Sequence, residues 1–249
     1  MNDSVVYALD FDGVICDSAL ETGQSGWKAA RRIWPDMPET IPEEKNRQFH
    51  QIRPIIETGY EAILAMRMLH LGASVESIYS GHGASFQSLM EQAQVTVDEL
   101  KKLFGDTRDT WIANDRTEWV ERNPLYVNMA DRLAQLGKTK PWYIITTKQE
   151  RFVKMILQAN RIDLPDDRIF GLDRKLSKAE VLRMLRNHHP GQPIHFFEDR
   201  VQTLLKIEQD PELQDVRLFF APWGYNTAED KALAASRGFA SCTLEAFLT

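Results

Sequence analysis

The sequence predicts an α/β protein with a doubly wound, mostly parallel sheet and a helical insertion, and three observations carry that prediction. Short apolar runs that read as buried strands recur at Val5–Leu9, Trp142–Ile145, Ile194–Phe197 and Val216–Ala221. Helical patterns separate the later runs, as parallel strands require crossover connections. Between the first strand and the second lies a stretch from about Glu43 to Glu121 with helical periodicity and no convincing strand. It is too long for a connecting loop and is expected to form an element of its own.

The first strand ends in Asp10-Phe11-Asp12-Gly13. In an open α/β sheet, ligands bind beyond the carboxyl ends of the strands. Asp10 and Asp12 point the same way in an extended chain, so two carboxylates reach one ligand there. Such a pair suits a divalent cation and a phosphate. One carboxylate can attack phosphorus while the other passes a proton to the leaving oxygen and later takes one from water. Gly13 permits a sharp exit from the strand. Cys16 follows closely, but no His lies near it in sequence, and it reads as a small, semi-buried residue.

These residues resemble the first motif of the haloacid dehalogenase superfamily, a strand followed by Asp-x-Asp-Gly. The resemblance implies a Rossmann-like catalytic core of residues 1–18 and 122–249, with residues 19–121 as an α-helical cap that closes over the site and selects the substrate.

In chain order, Ala19–Trp34 reads as a helix stopped at Pro35, and Pro38 and Pro42 space out a polar connection. Within the insertion, Glu44–Leu71 reads as a helical run with Gly59 inside it. A Gly-rich break at Gly81-His82-Gly83 is expected next, then helices over Ser85–Gln94 and Val97–Trp119. Arg53, Glu57 and Glu61, spaced by four, are expected on one face of the first long helix. They suit a solvated charge ladder, or a clamp on a substrate anion through Arg53. His82 is expected on a loop.

Leu125–Leu136 reads as an amphipathic helix stopped by Gly137, and the strand after it ends in Thr146-Thr147-Lys148. A hydroxyl there can donate to a phosphate oxygen without adding charge. Thr146 matches the second superfamily motif. Together with Asn123-Pro124-Leu125-Tyr126, Thr-Thr-Lys looks like the phosphoglycolate-phosphatase-like branch. Arg151–Asn160 reads as a helix and Arg168–Gly171 as a short extended piece. Ser177 is a plausible N-cap for the helix after it. A lysine in that first turn opposes the helix dipole, which an anion nearby would offset. The third motif is such a lysine; Lys178 takes it, with Lys175 in reserve.

Glu198-Asp199 closes the next strand and matches the fourth motif, which supplies carboxylates to the metal. The resemblance implies Mg²⁺ held by Asp10, Asp12 through its carbonyl, and Asp199, with Glu198 assisting. A further acid usual a few residues on is absent; Thr203 and Leu204 stand there. Trp223-Gly224-Tyr225, after the last strand, also resembles the phosphoglycolate-phosphatase-like branch, and its aromatics are expected to serve packing.

The function implied is Mg²⁺-dependent hydrolysis of a small-molecule phosphate monoester, phosphoglycolate or a sugar phosphate, through an aspartyl-phosphate. A phosphomutase and a catalytically weak phosphate-binding protein are the alternatives. Thirty basic against 36 acidic residues give a net charge of −6, which argues against general nucleic-acid binding. No apolar run reaches membrane-spanning length and no signal-peptide pattern opens the chain, so a cytoplasmic location is expected. Two cysteines form no disulfide framework. Oligomeric state is left open.

Overall fold

The computed structural model describes residues 5–249. The chain divides into two compact units: one runs up to Asp17 and resumes over Pro124–Thr249, and the other is Ser18–Asn123.

The first unit is built on a parallel sheet. Among the described residues its strands are β1 (Val6–Leu9), β2 (Trp142–Ile145), β3 (Ile169–Phe170), β4 (Ile194–Glu198), β5 (Arg217–Phe220) and β6 (Ala240–Ser241), in the spatial order β3-β2-β1-β4-β5-β6. The order reverses between β1 and β4, and the carboxyl edge at such a switch point forms a crevice. Register places Leu9 beside Ile144 on one side and beside Phe197 on the other. Asp10 therefore leaves β1 level with Glu198, and Thr146 emerges at the same edge.

Side chains alternate between the two faces. Val6, Ala8, Tyr143, Ile145, Ile194 and Phe196 share a core with Val181, Leu182 and Leu185, and with Val201, Leu204 and Ile207. Those last residues belong to α9 (Lys178–His188) and α10 (Val201–Glu208). On the other face Phe197 stacks on Phe219 at 4.4 Å between ring centres and meets Phe247 at 4.9 Å. Burial on both faces explains why β1, β2 and β4 read as near-continuous apolar runs, while β5 is more open and carries the exposed Arg217. The remaining helices of this unit are α7 (Met129–Thr139), α8 (Glu150–Ala159), α11 (Ala228–Ser236) and α12 (Leu244–Leu248). Helix α7 starts four residues later than expected and runs through Gly137 rather than stopping there. The sixth strand, two residues long, carries no alternation that sequence could reveal.

The second unit is helical: α1 (Ala19–Ile33), α2 (Glu43–Ile52), α3 (Glu61–His70), α4 (Val75–Ala93), α5 (Val97–Asn114) and α6 (Arg116–Glu121). Its core gathers Trp27, Phe49, Ile63, Met66 and Phe104. Gly26 lets α1 approach α3 closely, since a Cβ there would lie 2.6 Å from the Ala62 carbonyl oxygen. Glu21 is fully buried on α1 and accepts from Ser25 Oγ (2.6 Å), Arg108 Nε (2.7 Å), Arg108 Nη2 (2.6 Å) and Trp119 Nε1 (3.1 Å), joining α1, α5 and α6.

Two expectations for this unit are corrected. The run over Glu44–Leu71 is two helices, separated by a short 3₁₀ turn at Arg53–Ile55 and a bend. Pro54 removes a backbone donor there. Arg53, Glu57 and Glu61 do not share a helix face: Arg53 is buried and donates to the Ile56 carbonyl (2.9 Å), while Glu61 accepts from the backbone N–H of Glu57 (2.6 Å) and Thr58 (2.9 Å). Nor is there a break at Gly81-His82-Gly83. Helix α4 runs through it, capped by Ser74 and anchored by buried Ile78, Phe86 and Leu89. Packing on one face outweighs the roughly 1 kcal/mol that each glycine costs a helix. His82 sits mid-helix, one ring nitrogen 3.2 Å from the Ile78 carbonyl and the ring edge-on to Phe86.

Candidate active site

The polar groups of the first unit converge where β1 and β4 end. The chain turns sharply after β1: Ile15 and Cys16 N–H both donate to the Phe11 carbonyl at 2.9 Å, and Gly13 N–H donates to the Cys16 carbonyl at 2.9 Å. Gly13 has φ +89°, and a Cβ on it would lie 2.1 Å from Asp199 Oδ2. The position therefore excludes any side chain on two counts.

Asp10 is buried, and Lys178 Nζ sits 2.8 Å from its Oδ1 and 2.6 Å from Glu198 Oε2. One ammonium thus bridges the ends of β1 and β4. The Ser177 cap, reciprocated by Glu180, fixes the start of α9 and so aims Lys178 at the acids. Lys175 adopts a left-handed backbone conformation (φ 54°) before the cap, and of the two candidate lysines it is Lys178 that meets Asp10.

Ligand atoms of Asp10, Glu198 and Asp199 lie within 4.8 Å of one another, all three residues buried. Asp199 accepts from the Tyr225 backbone N–H at 2.6 Å, and Glu198 Oε1 accepts from the Arg200 N–H at 3.1 Å. Leu204 belongs to the hydrophobic core and Thr203 donates its N–H to the Arg200 carbonyl, so neither adds an acid.

Burial drives the electrostatics. Desolvation pushes Asp10 up from 3.8 to about 7; Lys178 opposes the rise, and Glu198 and Asp12 add to it. Burial alone would lower Lys178, but Asp10 and Glu198 more than offset it and hold the ammonium above the ordinary lysine value.

Thr146 is also buried at this edge. Its N–H continues the sheet ladder to the Phe170 carbonyl (2.9 Å), and its Oγ1 accepts from the Lys148 N–H (3.1 Å). Asp12, at the same sheet edge, pairs its Oδ1 with Lys148 Nζ at 2.9 Å. Lys148 was visible in sequence only as the residue after Thr-Thr, and its partner is 136 positions away. Two aromatics expected to serve packing also brace the turn after β1: Tyr225 Oη donates to Asp17 Oδ1 (2.8 Å) and Trp223 Nε1 to the Val14 carbonyl (3.1 Å).

Among solved structures, a predicted phosphatase from Clostridium acetobutylicum superposes with a TM-score of 0.59 at 16% identity, covering 98% of this chain and 96% of its own. A haloacid dehalogenase-like family hydrolase from Streptococcus pneumoniae gives 0.55 at 16% identity, covering 98% and 95%. The chain has the haloacid dehalogenase-like fold. A third structure with this fold, a predicted phosphoglycolate phosphatase from Haemophilus somnus, gives 0.56 at 17% identity with 93% and 92% covered. No protein-family model matches the sequence, and no curated protein matches it significantly. In this haloacid dehalogenase-like fold, no helix among the described residues is long and apolar enough to cross a membrane.

Proposed function

We propose that the chain is a phosphatase acting on small phosphate monoesters through an aspartyl-phosphate on Asp10. The observation that carries this reading is the buried Asp10–Lys178–Glu198 bridge, with Asp12 two residues along the same exit loop. Solved structures of the same fold that are named as predicted phosphatases support it.

An Asp10 carboxylate oxygen attacks phosphorus in line, forming the acyl-phosphate bond as the ester P–O bond breaks. Asp12 gives its proton to the departing alkoxide, which leaves as an alcohol. Water then attacks phosphorus and yields its proton to Asp12, and the bond to Asp10 breaks to release inorganic phosphate. Thr146 donates its hydroxyl hydrogen to a phosphoryl oxygen, while Lys178 balances the charge gathered at the strand ends.

Three buried carboxylates, two of them paired with Lys178, form a donor set that fits a hard divalent cation. Asp10, the Asp12 carbonyl and Asp199 would hold Mg²⁺, with Glu198 beside them. When bound, the ion supplies charge neutralisation at the phosphoryl oxygens. The insertion of residues 19–121 acts as the cap in this reading.

The test is phosphate release from a panel containing phosphoglycolate, glycerol phosphate, hexose phosphates and nucleoside monophosphates, with Mg²⁺ and with EDTA. Metal-dependent release from at least one ester is expected. Transfer of the phosphoryl group to a stable second ester would make the chain a phosphomutase, and Mg²⁺-dependent binding without release would make it a binding protein.

A pH-dependent stability is also expected. A carboxyl raised in the folded state holds its proton more tightly there than in the unfolded chain. Its contribution to stability is full below about pH 4, the unfolded value, and is lost as pH rises through about 7. The metal-free protein should therefore melt lower at pH 8 than at pH 5. Mg²⁺, by neutralising the same carboxylate, should raise the melting temperature by several degrees more at pH 8. Equal Mg²⁺ shifts at both pH values would remove Asp10 from the metal site.

A further inference from the structure

We infer that Lys148 is the positioning residue for Asp12, holding its carboxylate in the direction from which it passes a proton to the leaving oxygen. The inference rests on the phosphatase reading above and assigns Lys148 a part in it.

Hydrogen bonds at its N–H, its carbonyl and its ammonium hold Lys148 in place. Its N–H donates to Thr146 Oγ1 (3.1 Å), its carbonyl accepts from the Leu172 N–H (3.1 Å), and its ammonium meets Asp12 Oδ1 at 2.9 Å. The first two contacts tie its backbone to the end of β2 and to the segment after β3. Its side chain is only 1% exposed, against 17% for that of Asp12. Burying an ammonium is costly, and an apolar residue of similar volume would fill the same space more cheaply, so the pair is poor evidence of a stability device.

Asp12 has the complementary need. Its turn is fixed by backbone hydrogen bonds, but backbone bonds do not choose the torsions of a partly exposed carboxylate. Anchoring one oxygen to a rigid donor sets the direction of the other. An acid must face the leaving oxygen within a fraction of an ångström, and misplacement of a reacting group by about 1 Å costs on the order of 10²-fold in rate. Lys178 pairs with Asp10 and Glu198, and Lys148 pairs with Asp12.

The test compares Lys148→Met and Lys148→Arg with the parent on two substrates. These are p-nitrophenyl phosphate, whose leaving group departs with little protonation, and the alkyl phosphate of the panel that the parent turns over fastest. For Lys148→Met, single-turnover formation of the aspartyl-phosphate should slow about 10²-fold with the alkyl ester and less than about fivefold with the nitrophenyl ester, whereas its hydrolysis, in which Asp12 takes the proton from water, should slow alike for both. Lys148→Arg should recover part of the loss and serves as the comparison if the Met variant melts early. In an Asp12→Ala background, Lys148→Met should cost nothing further, because the two act as one unit. Equal losses on both esters in the formation of the aspartyl-phosphate, or additive losses in the double variant, overturn the assignment while leaving the phosphatase reading intact. A parent that releases no phosphate from either ester overturns the phosphatase reading and this inference with it.

Discussion

Asp10→Asn is expected to lower phosphate release by at least ~10⁴-fold, because the amide is no nucleophile toward phosphorus. The fold should survive. Asp10 is a buried carboxyl that desolvation drives up to about 7, so at neutral pH the native state pays to keep it ionised. An amide of nearly the same shape removes that cost, although it gives up part of the contact with Lys178. Without metal, the variant should melt no more than a few degrees from the parent at pH 8. A folded variant that still turns over would exclude Asp10 as nucleophile. Mg²⁺ should stabilise the variant less than the parent, separating loss of a ligand from loss of the chemistry.

The largest effect on stability is expected in the helical unit, at Arg108→Ala. The guanidinium grips Glu21 through both Nε and Nη2, and Glu21 is fully buried. Removing one partner of a buried pair leaves the other charge uncompensated, at a cost of about 3–5 kcal/mol. Ser25 and Trp119 continue to donate to Glu21 and hold the loss toward the lower figure. The two compact units can unfold in separate steps, so the loss should appear as an earlier transition in urea. Adding Glu21→Gln should return part of it, since a neutral side chain keeps the shape and some hydrogen bonds. A loss below about 1 kcal/mol for Arg108→Ala would mean that water reaches Glu21.

Much of the sheet unit was legible in the sequence, because strands buried on both faces are written as apolar runs and their ends as polar punctuation. Val6–Leu9 followed by two acids announces both a strand and the edge at which carboxylates gather. Ser177 announces a helix start, and with it the placement of Lys178 in the first turn. Other features have no local signature. Lys148 and Asp12 meet only because β1 and β2 are neighbours, and a long side chain next to Thr-Thr reads as solvated until that pairing is known. Tyr225 reads as packing, yet its N–H and hydroxyl serve Asp199 and Asp17. In the helical unit, local rules failed in both directions. Pro54 and the residues after it broke a run that periodicity joined, and Gly81 and Gly83 failed to break a helix whose apolar face was sufficient without them. The charge ladder at Arg53, Glu57 and Glu61 depended on the first of these errors.

The way the sheet unit releases and recovers the chain has a consequence of its own. Asp17 N–H donates to the Pro124 carbonyl (2.8 Å), Tyr126 N–H donates to the Ile15 carbonyl (3.1 Å), and Cys16 forms an antiparallel bridge with Leu125. The outgoing and returning segments are hydrogen-bonded side by side, so for the sheet unit everything between them is a hairpin loop. Closing a flexible loop costs only about 0.6 kcal/mol more for each doubling of its length. The sheet unit is therefore almost indifferent to how much chain hangs from that point. A chain whose Ser18–Asn123 is replaced by a few turn-forming residues should retain the sheet and its carboxyl edge. Segments of other sizes could be carried at the same junction for almost the same entropy.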